Sequence, residues 1–228
     1  MSEWLRDSFS FCRTYWWAII ALVVPITAVR EWVMITTDWY SIGADMQGLP
    51  DMFVWSIVAM LLLESFLQIS LILLVQGILS KQNLSFGQRT SRAMVIMLPF
   101  ILMELMMGFA VAAGMLMLIV PGIWVLVRLS LAPYYLVLQG AGALASLKQS
   151  WKVSRGYGWD LFFGLVVTTL VSIIPSFFML DSVDTNAAAL SNSVLSIVGS
   201  CLAVWGLVFF YRAFDYVQAN PRVIDEVA

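Results

Sequence analysis

Six apolar runs, separated by polar connections that alternate between basic and lysine- and arginine-free, dominate this sequence and leave it few ways to fold. A helix rises ~1.5 Å per residue, so about 20 apolar residues cross a ~30 Å hydrocarbon core. Inside that core each backbone N–H and C=O must find its partner within the protein, which a helix does within its own segment. The runs predict spanning helices at about 14–36, 52–79, 93–120, 122–138, 161–180 and 194–211. A soluble domain carries roughly a quarter charged residues; here 11% are charged and 61% hydrophobic, too little polar surface for a soluble globule. The expectation is an all-α polytopic bundle of six transmembrane helices, residues 1–228 forming a single integral membrane domain.

Charge placement orients the bundle. Arg6 and Arg13 precede the first run, Lys81, Arg89 and Arg92 follow the second, Lys148, Lys152 and Arg155 follow the fourth, and Arg212 and Arg222 follow the core of the last. The opposite connections, including 37–51 and 181–191, hold no lysine or arginine. By the positive-inside rule both termini and the basic connections are cytoplasmic. Residues 1–13 mix Trp4, Leu5, Phe9 and Phe11 with four charges and read as an amphipathic segment on the membrane surface. The run that follows ends in Val29-Arg30-Glu31 without a small-residue cleavage pattern, so it reads as an anchor rather than a removed signal. Arg30 and Glu31 lie near its outer end, where snorkelling is expected.

Pro121-Gly122 interrupts the apolar sequence between the third and fourth runs. Proline cannot donate to a continuing helix and glycine tolerates positive φ, so a tight hairpin is predicted there, with Pro133 further along the fourth helix. Gly108, Ala110, Ala112 and Gly114 in the third run make small-xxx-small pairs suited to close helix packing.

Four polar residues fall inside the runs as a candidate cluster: Glu64, Gln68, Glu104 and Arg128. Glu64 and Gln68 stand at i and i+4, on one helix face. Counted along the helices, Glu64, Glu104 and Arg128 lie roughly 20, 18 and 9 Å from the helix ends. An arginine in hydrocarbon costs ~2.5–3.5 kcal/mol or more, so Arg128 requires a partner. Two readings follow: a structural ion pair pinning the fourth helix to the second and third, or a polar site for an anionic group or a proton relay. At the basic connections, Lys81, Arg89, Arg92, Lys148, Lys152 and Arg155 either attract lipid headgroups at ~1 kcal/mol each or set topology alone. Residues 140–158 predict a surface helix, its basic stripe of Lys148, Lys152 and Arg155 beside an apolar stripe of Leu144, Leu147 and Trp151.

Other chemistry finds little support. A net charge of −2 without a basic stripe argues against nucleic acid. The chain has no histidine and two distant cysteines, Cys12 and Cys201, so no metal-ligand or redox spacing is present and no cofactor is expected. Without histidine, Gly-x-Ser-x-Gly or an intramembrane Ser-Lys pair, the expectation is a protein that is not an enzyme.

Val120-Pro121-Gly122-Ile123, Arg128, Ala132-Pro133, the run Ala145 to Ser150 and the Gly-x-Gly-Trp159 entry to the next helix carry a resemblance. Over about 118–164 the sequence resembles the YciC-like bacterial membrane proteins, and is similar to the membrane domain attached to some glycerophosphodiester phosphodiesterases. The resemblance implies a six-helix multi-pass protein of the bacterial inner (plasma) membrane, linked to envelope or lipid homeostasis, with membrane lipids as partners and no catalytic residues. A small transporter or channel built on the Glu/Glu/Arg cluster is the first alternative. An accessory subunit docking on another membrane protein or on a second copy is the other.

Overall fold

The computed structural model describes residues 2–36, 51–81, 85–178 and 186–220. Expectations for the connections 37–50 and 181–185 and for Arg222 fall outside these residues. Every regular element among them is helical: α1 (Ser2–Thr36), α2 (Asp51–Leu79), α3 (Phe86–Met117), α4 (Ile119–Leu129), α5 (Ala132–Gln139), α6 (Ala143–Val153), α7 (Gly158–Ile173) and α8 (Asn186–Ala219), with 3-10 turns at Ser154–Gly156 and Ile174–Phe178. Six segments are long and apolar enough to span a membrane, the fourth being α4 and α5 together and the fifth α7 with its 3-10 extension.

Several predicted boundaries move outward. The N-terminal segment continues as helix into the first span, with a kink at Tyr15 (φ −110°, ψ 22°). It does not lie free on a surface, because Trp4, Ser8 and Phe11 are buried. Trp4 packs against Tyr157, Phe209 and Tyr216, with ring centroids 6.5, 6.1 and 5.1 Å apart. Tyr157 also donates its hydroxyl to the Asn220 carbonyl at 2.6 Å. These contacts gather the start of α1, the start of α7 and the end of α8 at one end of the bundle, where the basic residues lie. The third helix begins earlier than the apolar run because Ser85 and Gln88 form a reciprocal capping box.

The reversal between the third and fourth helices falls at Leu118, not at Pro121-Gly122. Leu118 alone is extended (φ −166°, ψ 149°), and Pro121 already sits in the first turn of α4, where its missing N–H removes no helix bond. Gly122 has a different task. A Cβ there would come 2.7 Å from the Met115 backbone nitrogen and 2.9 Å from its Cα, and a Cβ on Gly114 would stand 2.9 Å from the Gly122 Cα. The two glycines let α3 and α4 touch backbone to backbone. Gly108 contacts nothing within 4 Å of such a Cβ, and Ala110 and Ala112 are exposed, so the small-residue face is used only at Gly114.

Pro133 breaks the fourth span. It follows Leu131 and Ala132 at the start of α5 and offers no N–H to the Leu129 carbonyl, so α4 and α5 meet at a kink. There the Arg128 carbonyl accepts from Ser150 Oγ at 2.7 Å and Ser154 Oγ at 3.1 Å, which ties α6 to the kink. The buried face of α6 is therefore Ala143, Ser146, Leu147 and Ser150, while Leu144 and Trp151 of the expected apolar stripe are exposed. Lys148, Lys152 and Arg155 are exposed as well. The core runs through the centre of α2 (Ile69 to Val75), Phe100 and Met103 of α3, Leu131 to Val137 and the second half of α8.

Gly122→Val should lower the melting temperature in mild detergent, the overlap with the Met115 backbone costing about 1–3 kcal/mol. Gly108→Val, in open space, should leave it unchanged.

Candidate functional site

Arg30 and Glu31 stand near the end of α1 opposite Trp4, and both turn into the protein. Arg30 Nη2 lies 3.0 Å from Glu31 Oε1 and donates to Ser196 Oγ at 3.0 Å and to Ser200 Oγ at 3.2 Å on α8. Its Nη1 lies 3.6 Å from Glu64 Oε2 on α2. Ser196 in turn donates to Glu31 Oε1 at 2.7 Å. One guanidinium thus joins three helices, and the serines supply the short polar partners that an apolar helix face can carry without charge. Arg30 does not snorkel out of the bundle as expected from the sequence. Its side chain is 21% exposed and that of Glu31 6%.

Glu64 differs from Glu31. Its side chain is 48% exposed and it lines a cavity of about 610 Å³. Arg30, Glu64, Gln68, Ser172, Ser176, Ser196 and Ser200 form the polar end of that cavity, and Leu71, Ile72, Pro133, Tyr134, Leu207 and Phe210 its apolar floor. Between Leu195 and Phe210 the lining runs roughly 22 Å along α8. Ser130 and Pro133 also line it, so the kinked backbone of the fourth span lies where a cavity permits irregular structure. Tyr134 is fixed there by donating to the Leu207 carbonyl at 2.7 Å.

Glu104 lies beside this group on α3. It accepts from Ser65 Oγ at 2.7 Å, and Gln68 and Glu64 are its other polar neighbours. The structure therefore brings Glu64, Gln68 and Glu104 together and leaves Arg128 elsewhere. Arg128 stacks its guanidinium over Trp124 at 5.0 Å and Trp151 at 5.9 Å. Among the described residues it pairs with no carboxylate. The cation of the cluster is Arg30, and the residues missed in the sequence are Arg30, Glu31, Ser196 and Ser200. Serines at i and i+4 on the last apolar run were the one signal available.

The remaining candidates are distributed. Lys81 caps α2 in a left-handed conformation (φ 54°), and Arg89 and Arg92 occupy the first turns of α3. Cys12 and Cys201 are both free, and line a second, almost wholly apolar groove of about 660 Å³ between α1, α7 and α8. Among the described residues no group of histidine, cysteine or carboxylate side chains could hold a metal ion.

Replacing Arg30 by leucine leaves Glu31 buried without its counter-charge. It should destabilise the protein by about 2–3 kcal/mol, below the ~3–5 kcal/mol of a fully buried pair because Glu64 is half-exposed. Thermal unfolding in detergent should show this loss, and Arg92→Leu, at an exposed position near the start of α3, should not.

Comparison with known proteins agrees with the membrane architecture. A family model described as an uncharacterised protein family, UPF0259, matches residues 44–215. A UPF0259 membrane protein of Pectobacterium carotovorum subsp. carotovorum is 25% identical over 155 residues, 65% of this chain and 62% of the relative. A UPF0259 membrane protein of Photorhabdus laumondii subsp. laumondii is 25% identical over 158 residues, 66% of this chain and 61% of the relative. The chain thus spans about three fifths of the length of these curated relatives. No solved structure matches. With a family match over most of its length and six helices fit to span a bilayer, the chain belongs to the UPF0259 family and is a multi-pass bacterial membrane protein.

Proposed function

We propose that this protein acts in envelope or membrane-lipid homeostasis by holding a lipid-like amphiphile in the cavity between α1, α2, α5, α7 and α8, and that it acts by binding rather than by catalysis. One observation carries the reading: the cavity is amphipathic along its length, with charged groups and serines at one end and an apolar floor at the other. Its volume suits a headgroup and part of one chain, within the ~300–1,000 Å³ of ordinary ligand sites. The resemblance of the 118–164 region to YciC-like proteins points to the same kind of role. With the basic connections and both termini cytoplasmic, the polar end of the cavity faces the outer leaflet.

The charge balance favours one headgroup chemistry. Among the described residues Arg30 is the single cation beside three carboxylates, Glu31, Glu64 and Glu104; its Nη2 is engaged by Glu31, Ser196 and Ser200, its Nη1 lies near Glu64, and its Nε is buried out of a ligand's reach. A purely anionic group meets net negative charge here. An ammonium is drawn to Glu64, the carboxylate open to the cavity.

A second reading, a small transporter, is favoured by the Ser130–Pro133 kink, since interrupted helices lining a cavity are a recurrent feature of transport sites. It differs in requiring access to the cavity from both faces. Thiol reagents applied to each side of Ser196→Cys and Tyr134→Cys proteoliposomes, with Cys12 and Cys201 replaced by serine, separate the two: labelling of Tyr134→Cys from the basic side favours transport.

Native mass spectrometry of protein released from nanodiscs tests the lipid reading. Phosphatidylethanolamine should be retained over phosphatidylglycerol at this site, and Glu64→Gln should cut its retention about tenfold, the loss of one charge-assisted hydrogen bond. Equal retention by the wild type and Glu64→Gln would overturn it.

A further inference from the structure

We propose that Arg128 and Arg155, with the indoles of Trp124 and Trp151, form a second binding site, distinct from the cavity, for the phosphodiester of a net-anionic membrane lipid. The guanidinium of Arg128 is held over both indoles, at 5.0 and 5.9 Å. Arginine stacked on aromatic faces keeps its N–H groups pointing outward from the ring edges, in the plane that matches a phosphate. Nε and Nη1 are covered by the protein and have no acceptor among the described residues, but Arg128 as a whole is only partly buried. A partly buried guanidinium with no carboxylate partner among the described residues favours an anion at its open edge.

The second observation is electrostatic and independent of the first. Arg155, in the turn after α6, directly follows Ser154, whose hydroxyl donates to the Arg128 carbonyl at 3.1 Å, so the two arginines share one corner. Among the described residues neither arginine forms an ion pair. Two neighbouring like charges without a carboxylate between them are stabilised by an anion from outside the chain. Lys152, exposed on α6, adds a third positive charge one turn away.

The surroundings identify the source of the anion as lipid. Trp159 packs edge-on against Trp124 at 6.1 Å and is itself 67% exposed, and Trp151 is 37% exposed. Exposed indoles beside cations suit the headgroup level of a bilayer, where their apolar bodies meet acyl chains and their N–H groups meet polar heads. The backbone under the site is fixed separately, because the Arg128 carbonyl is bonded to Ser150 and Ser154. The side chain is therefore presented by a rigid corner, not by a loop.

The full chain in nanodiscs containing phosphatidylglycerol and phosphatidylcholine, examined by native mass spectrometry, tests the site. Wild type should retain phosphatidylglycerol over phosphatidylcholine, and Arg128→Gln should lower that retention about tenfold. Arg155→Gln, at an exposed position, should lower it several-fold, which keeps the test open if Arg128→Gln folds poorly. Glu64→Gln should leave it at the wild-type level, so failure of this site and failure of the cavity reading are told apart. Unchanged phosphatidylglycerol retention in Arg155→Gln, or no preference over phosphatidylcholine, would overturn the proposal. Displacement of the lipid by millimolar inorganic phosphate would assign the site to free phosphate and overturn the lipid source.

Discussion

An arginine inside an apolar bundle has to be answered, and in this protein the answer to Arg30 determines how the helices at one end come together. Its guanidinium reaches Glu31 on its own helix, Glu64 on α2, and Ser196 and Ser200 on α8. Ser196 closes the arrangement by donating to Glu31. Separating α1 from α8 strands a buried carboxylate and a cation together, which costs several kcal/mol. No apolar contact at that end is as selective, since lipid tails compete equally for leucine and valine faces. The cavity exists beside this group because the same residues that satisfy Arg30 hold three helices apart around polar side chains.

The opposite end is organised differently, by close packing and by backbone capping. Trp4, Tyr157, Phe209 and Tyr216 bring the chain's first helix against its last, and the serines of α6 satisfy a carbonyl at the Pro133 kink. Gly114 and Gly122 let α3 and α4 approach until a single methyl group would collide with backbone. The result is one chain with two polar environments of opposite sign. Among the described residues, carboxylates outnumber the cation around Arg30, and Arg128 and Arg155 form no ion pair.

The six spans were legible because hydropathy is a local property and each run reports on itself. The start of α3 was set too late, because the Ser85–Gln88 capping box begins the helix in polar sequence ahead of the apolar run. The turn was misplaced by a few residues, because Pro121-Gly122 carries signals for both a break and a helix start, and only the packing of Gly122 on Met115 distinguishes them. Assigning Arg128 to the carboxylates failed for a different reason. Counting residues gives depth along an ideal helix, whereas α4 and α5 are kinked and α6 folds against the kink, which places Arg128 among the indoles. Glu64, Gln68 and Glu104 were recognised because i, i+4 spacing and intramembrane charge are visible in sequence. Arg30 was assigned to the interface because its partners, Ser196 and Ser200, are distant in the chain and uncharged.

The claim on which the rest depends is that Arg30 is tied across to α8. A double-mutant cycle on Arg30→Gln and Ser196→Ala, read by reversible unfolding in detergent, measures that tie directly. The account predicts a coupling of about 1 kcal/mol or more, within the range found for residues sharing one hydrogen-bonded network. Strictly additive effects would contradict it, and would mean that Arg30 leaves the bundle for the membrane surface.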